Sequence, residues 1–150
     1  MGIGGVARLL PRATRATRAA RGAATSDTHG FPFAGSDENR SGTNWDDLLG
    51  DIAGMDLAGK PCAVFGLGDS AGYGDYFCDA IEEVHRTFAS AGCKMVGSVS
   101  TDDYNFGGSK SEADGKFIGC PFDEDNEGDK TEARAANWAK QLEEEMAGAF

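Results

Sequence analysis

Apolar and polar positions alternate in blocks along the chain, and the blocks change period. "CAVFG" (Cys62–Gly66) is a short continuous apolar run, the pattern of a strand buried on both faces of a parallel sheet. From about Asp75 to Ala91 the apolar residues Phe77, Ile81, Val84 and Phe88 recur at spacings of four, three and four. That places them on one stripe of a helix, with Gly92 as its stop. "KMVGSVS" (Lys94–Ser100) reads as the next strand. A polar loop from Thr101 to Gly115 follows, then another apolar run, "KFIGCPF" (Lys116–Phe122). After the acidic turn "DEDNEGD", Thr131 is a plausible cap for a last helix to about Ala147, with Ala135, Trp138, Leu142 and Met146 inward. Upstream, residues 44–55 read as a short helix capped by Asn44, with Trp45, Leu48, Leu49 and Ile52 as its apolar face. Strand–helix–strand–helix order predicts an α/β fold with parallel pairing and right-handed crossovers.

The first third is different. Residues 1–26 carry five arginines (Arg8, Arg12, Arg15, Arg18, Arg21) and no acid, and are rich in Ala and Thr. This is the composition of an organelle transit peptide or of a disordered basic tail. Residues 27–44 form a polar Gly/Ser/Asp stretch in which Phe31 and Phe33 are embedded. The expected organisation is a disordered basic segment over 1–34 and a folded domain over 35–150. The chain has 14 Lys+Arg against 25 Asp+Glu, a net charge of -11, and the basic tail makes the remainder more acidic still. Such a surface repels nucleic acid and anionic membranes, and favours a basic protein partner. No run approaches the roughly 20 apolar residues of a membrane span. Cys62, Cys78, Cys93 and Cys120 form no Cys-x-x-Cys pair and no Cys/His cluster. Buried free thiols are therefore expected, not a metal site or a disulfide framework.

The candidate chemistry lies in "AVFGLGDSAGYGDYF" (Ala63–Phe77), a strand running into a glycine-rich turn. Gly66, Gly68 and Ala71 match the GxGxxG/A spacing of a dinucleotide turn, a weak signal alone. Asp69 and Asp75 argue against it, because two carboxylates at that turn repel a pyrophosphate. A nearly neutral ring suits the turn better: glycines let backbone amides approach a heterocycle edge, and Tyr73 offers a face for stacking. Spacing alone does not separate that reading from an ordinary tight turn. A nicotinamide dehydrogenase fails also because the chain has no catalytic His or Tyr-Lys arrangement, and His85 reads as a surface residue.

The stretch from "VFGLGDSAGYGDYF" through "STDDYNF", "SKSEADGKFIG" and "FDEDN" resembles the C-terminal part of a long-chain flavodoxin of algal or cyanobacterial type. The resemblance reaches back to "SGTNWDDLL" and covers roughly Gly35 to Gln141. It implies an FMN-binding electron carrier, not an enzyme, with a flavodoxin-like parallel sheet. It gives Tyr73 the role of stacking on the outer ring face. Leu67, Gly68 and Asp69 become the loop on the ring's pyrimidine edge, and Gly72 and Gly74 its close-packed flanks. The family's asparagine after "GYxD" is replaced by Tyr76. The implied partners are basic redox proteins such as a photosystem I subunit or ferredoxin–NADP reductase; if the arginine-rich start is a transit peptide the expected location is the chloroplast, and otherwise the cytoplasm.

Nothing in residues 1–60 matches the family's Ser/Thr-rich phosphate loop, and the family's first three strands have no counterpart. An incomplete flavodoxin-like fold is therefore expected, comprising strands 4 and 5, flanking helices and the long-chain insertion. Strand 4 would have a bare inner edge, and FMN affinity would be weak. Phe31 and Phe33 fall near the position of the family's inner-face aromatic residue. The alternative function is a truncated, non-redox fragment or a partner-binding protein without flavin.

Overall fold

The computed structural model of the protein describes residues 4–7 and 45–147. The expected Asn44 cap, the basic stretch beyond Ala7, and Phe31, Pro32 and Phe33 lie outside the described residues.

The central element is β2 (Pro61–Leu67). Its alternation places Val64 in one core and Ala63, Phe65 and Leu67 in another, as a strand covered on both faces requires. Two short strands lie parallel along one side of it. β3 (Lys94–Met95) pairs with its start, Pro61↔Lys94, and β7 (Cys120–Phe122) with its end, Leu67↔Phe122. These are the parallel pairings expected. The other side of β2 was expected to be bare, and this is corrected. β1 (Gly4–Ala7), from the segment expected to be disordered, runs antiparallel along it, Gly4↔Gly66 to Ala7↔Ala63. A central strand with an open row of N–H and C=O groups is a template for any extended segment that reaches it.

One core lies between the sheet and two helices, α1 (Trp45–Ala53) and α2 (Ala80–Ser90). It contains Leu49, Val64, Phe77, Cys78, Ile81, Val84 and Phe117, with Phe88 packed at its margin. The expected stripe of α2 is therefore the buried one. The helix begins later than expected, however. A 3-10 turn covers Gly74–Tyr76, Phe77 is extended, and Cys78 has φ 54°, a left-handed conformation that no α-helix continues through. Gly92, at φ 96°, ends the helix as expected.

"KMVGSVS" is not one strand. Gly97, at φ 84°, turns the chain out of the sheet after β3. An excursion then forms its own antiparallel sheet from β4 (Val99–Ser100), β5 (Glu112–Ala113) and β6 (Lys116–Phe117), in the order β4-β6-β5. Asp114 (φ 54°) and Gly115 (φ 75°) form the two-residue turn between β5 and β6. Two successive positive φ angles match the twist of a tight hairpin. "KFIGCPF" is thus divided between two sheets, with Phe117 in the excursion and Cys120–Phe122 back beside β2.

The second core, on the opposite face, is closed by α3 (Glu124–Ala147), which bends at Glu127. α3 starts well before the expected Thr131, and Asp123 accepts the capping bond from the Asn126 N–H at 3.0 Å. Trp138, Leu142 and Met146 are buried as expected, but Ala135 is exposed. The stripe continues backward in steps of four to Arg134, whose guanidinium lies 4.1 Å from the centre of the Tyr104 ring. Among the described residues no helix is long and apolar enough to cross a membrane, and no His/Cys/Asp/Glu group is arranged to hold a metal. Cys62, Cys78 and Cys120 are buried free thiols, and Cys93 is half-buried. Burial pushes the Cys78 and Cys120 thiols up, Cys120 to about 12, so both stay protonated and unreactive. His85, read as a surface residue, is half-buried on α2.

Candidate functional site

The loop from Leu67 to Gly74 leaves β2 at the end where β7 and the start of α3 meet it. Its inner half is committed to the fold. Leu67 pairs with Phe122 and packs on the α3-side core. The Gly68 N–H donates to the Phe122 carbonyl at 2.9 Å. A side chain at Gly68 would strike Cys78 Sγ and the Phe77 ring, so close packing against the entry to α2 explains this glycine.

The outer half is organised by two carboxylates. Asp69 Oδ1 accepts the N–H groups of Ala71 (3.1 Å) and Gly72 (2.8 Å), and the Tyr73 N–H donates to the Asp69 carbonyl at 2.9 Å. This is the self-capped turn that Asp forms readily. A Cβ on Gly72 would meet the Asp69 carboxylate, so that glycine serves the turn. Asp123 is 0 % exposed. Its Oδ2 accepts both the backbone N–H (3.0 Å) and the hydroxyl of Ser70. Asn126 joins the two carboxylates, its Nδ2 donating to Asp69 Oδ1 at 2.9 Å and to Asp123 Oδ1 at 2.9 Å.

The backbone bond from Gly72 and the amide of Asn126 hold the Asp69 carboxyl below the usual carboxylate range. Burial alone would raise Asp123, but the hydrogen bonds from Ser70 and Asn126 outweigh it and hold Asp123 low as well. Both groups are therefore ionised throughout the neutral range.

Of the amides from Gly68 to Tyr73, five have acceptors in the structure. The Asp69 N–H has none among the described residues. Tyr73 beside it is half-buried, and Tyr76 is exposed.

On its far side the loop is stapled to the excursion. The Gly74 carbonyl accepts from Gly107 (2.9 Å) and Gly108 (3.0 Å), and Ser109 Oγ donates to the Phe77 carbonyl at 2.6 Å. Asp79 is buried and accepts the Lys110 N–H at 2.8 Å, with the Lys110 ammonium 3.9 Å away. Desolvation raises the Asp79 carboxyl despite these partners. Opposite, Tyr104 donates to the Pro121 carbonyl at 3.0 Å, and Arg134 bridges Asp103 (3.1 Å) and Glu127 (2.7 Å). The excursion thus forms one wall beside the loop, fastened to both α2 and α3.

A family model described as flavodoxin matches residues 30–138. The chain belongs to the flavodoxin family. A flavodoxin of Nostoc is 42 % identical over 104 residues, 69 % of this chain and 61 % of that protein. Flavodoxin 1 of Azotobacter vinelandii is 42 % identical over 91 residues, covering 61 % of this chain and 52 % of that one. The solved flavodoxin of Fusobacterium nucleatum bound to flavin mononucleotide superposes with a TM-score of 0.65 at 32 % identity, over 67 % of this chain and 60 % of that one. The chain thus spans about three fifths of the length of such flavodoxins.

The six residues singled out from the sequence run from the end of β2 at Leu67 through the turn to Gly74, the first residue of the 3-10 segment. Asp123 and Asn126 were missed as parts of the site, although an Asp with an amide residue three positions on, opening an acidic first turn, is a recognisable helix start.

Proposed function

We propose that this flavodoxin binds the isoalloxazine ring of FMN at the 67–74 loop and serves as a one-electron carrier, not as a catalyst. The observation that carries the reading is the Asp69 N–H. Among the described residues it is the amide from Gly68 to Tyr73 without an acceptor, inside a turn whose other amides are held by the Asp69 and Asp123 carboxylates or by the Phe122 and Asp69 carbonyls. A donor in that position suits a carbonyl or nitrogen on a heterocycle edge, and the half-buried Tyr73 suits the ring face. The protein fixes the ring and its surroundings, while bound FMN would supply the redox chemistry. Gly68 and Leu67 support the loop from below, and Gly74 fastens its exit.

The reading extends to a weak FMN affinity in which the ring, more than the phosphate, carries binding, because residues 1–60 match no phosphate loop. The remaining acidic surface supports docking of a basic redox partner of the photosystem I or ferredoxin–NADP reductase kind. The acid-free arginine segment supports delivery to a chloroplast.

Paired fluorescence titrations with FMN and riboflavin test this. Both flavins are expected to be quenched with dissociation constants on the order of 10 μM, within about threefold of each other. An FMN preference of about 100-fold would contradict ring-dominated binding. Absence of quenching by either flavin at about 100 μM would contradict flavin binding and leave the non-redox alternative.

A further inference from the structure

The "FDEDN" segment carries a role that the ring-contacting residues do not absorb. Asp123 has two oxygens with two duties. Oδ1 caps α3 through the Asn126 N–H at 3.0 Å, while Oδ2 holds the amide and hydroxyl of Ser70, 53 residues away in sequence. Asn126 Nδ2 then lies within 3.0 Å of Asp123 Oδ2 and 2.9 Å of Asp69 Oδ1. The first turn of α3 and the loop after β2 are therefore one hydrogen-bonded unit, although neither Asp123 nor Asn126 belongs to the loop. We propose that Asp123 and Asn126 are positioning residues for flavin binding: they clamp Ser70 and Asp69 so that the Asp69 N–H and Tyr73 are presented together. This rests on the reading that the loop receives the ring.

Two carboxylates this close repel each other unless a donor lies between them, and an amide NH₂ group supplies that donor without adding charge. Removing it leaves Asp69 and Asp123 with their backbone and Ser70 donors but with no donor shared between them. Other charged groups surround the unit. Glu124 and Asp125 are exposed on the same first turn. Glu127 is neutralised by Lys130 at 2.8 Å and Arg134 at 2.7 Å. Asn126 is thus the donor between the two loop-facing carboxylates, while the nearby cations are taken by Glu127 and Asp103.

Asn126→Asp is the informative variant, because it keeps size and shape but cannot donate when ionised. Two readouts are needed. Amide hydrogen exchange on the flavin-free protein reports the clamp itself. In Asn126→Ala and Asn126→Asp at pH 7, the Ala71 and Gly72 amides are expected to exchange about 10-fold faster, as are those of Ser70 in Asp123→Ala, about the worth of one charge-assisted hydrogen bond. Val64 and Ile81 report the intact core and are expected to be unchanged.

Riboflavin affinity, followed by fluorescence, is expected to fall about 10-fold in Asn126→Asp at pH 7. It should recover toward pH 5, because neighbouring carboxylates raise the new carboxyl above its ordinary range and protonation restores a donor. A packing role would leave Asn126→Asp close to wild type and without a pH profile, and that result would overturn the proposal. So would unchanged exchange at residues 70–72 in all variants. If the wild-type protein binds no flavin, the functional reading fails, and the exchange rates alone decide whether the clamp exists.

Discussion

Replacing Phe117 with alanine is expected to lower the free energy of unfolding by about 3–5 kcal/mol, the range for deleting a buried aromatic ring. Phe117 is 0 % exposed. Its ring is 4.9 Å from Phe106, 5.1 Å from Tyr104 and 6.0 Å from Phe77, centre to centre. These contacts join the excursion to the entry of α2, so the cavity would open between two parts of the molecule. Urea unfolding would show the loss as a lower midpoint. Phe117→Leu, which refills much of the volume, should recover more than half. A loss below about 1 kcal/mol for the alanine variant would mean that the aromatic cluster is not a tightly packed core.

The opposite face has its counterpart in Trp138, for which truncation to alanine is expected to cost about 3–5 kcal/mol as well. The indole is 7 % exposed, packs edge-on against Phe65 at 6.3 Å, and donates from Nε1 to the Gly97 carbonyl at 2.8 Å. Gly97 is where the chain leaves the main sheet, so this bond holds the excursion's root against α3. Trp138→Phe keeps most of the ring but leaves that carbonyl without its donor, and about 1–3 kcal/mol should be lost from this and the smaller ring. Equal unfolding midpoints for Trp138→Phe and Trp138→Ala would show that the hydrogen bond dominates over volume.

The elements legible in the sequence are those whose pattern is local. The run around Val64 reads as a doubly buried strand because every position from Cys62 to Val64 is buried. The Ile81–Val84 stripe reads as a helix face because its period survives in the structure. The beginnings of helices read less well. Cys78 adopts a left-handed conformation that nothing in its side chain announces, so α2 starts later than its stripe suggests.

At α3 a cap at Asp123 was hidden inside what looked like an acidic turn, and the four-residue step through Met146, Leu142 and Trp138 reaches Arg134 rather than Ala135. Asp114–Gly115 is a hairpin signal that a polar surrounding concealed. The pairing of Gly4–Ala7 with β2 was not legible, because four residues carry too little pattern to name a partner strand about 60 positions away. The site divides in the same way. Its glycines and Tyr73 stand in one short stretch, whereas the residues that fix the turn come from the far side of the excursion.

The 67–74 loop is the proposed seat of the flavin ring. The most direct measurement is an amide chemical-shift map of the ¹⁵N-labelled protein titrated with FMN. The amides of Asp69 and Tyr73 are expected to move most among residues 45–147, along one saturable curve shared with Gly72 and Gly74. The distal half of α3, from Trp138 to Ala147, should stay in place. If FMN binds but its largest shifts in that range fall away from the loop, or if residues 67–74 do not respond, the assignment of this turn as the flavin site is wrong.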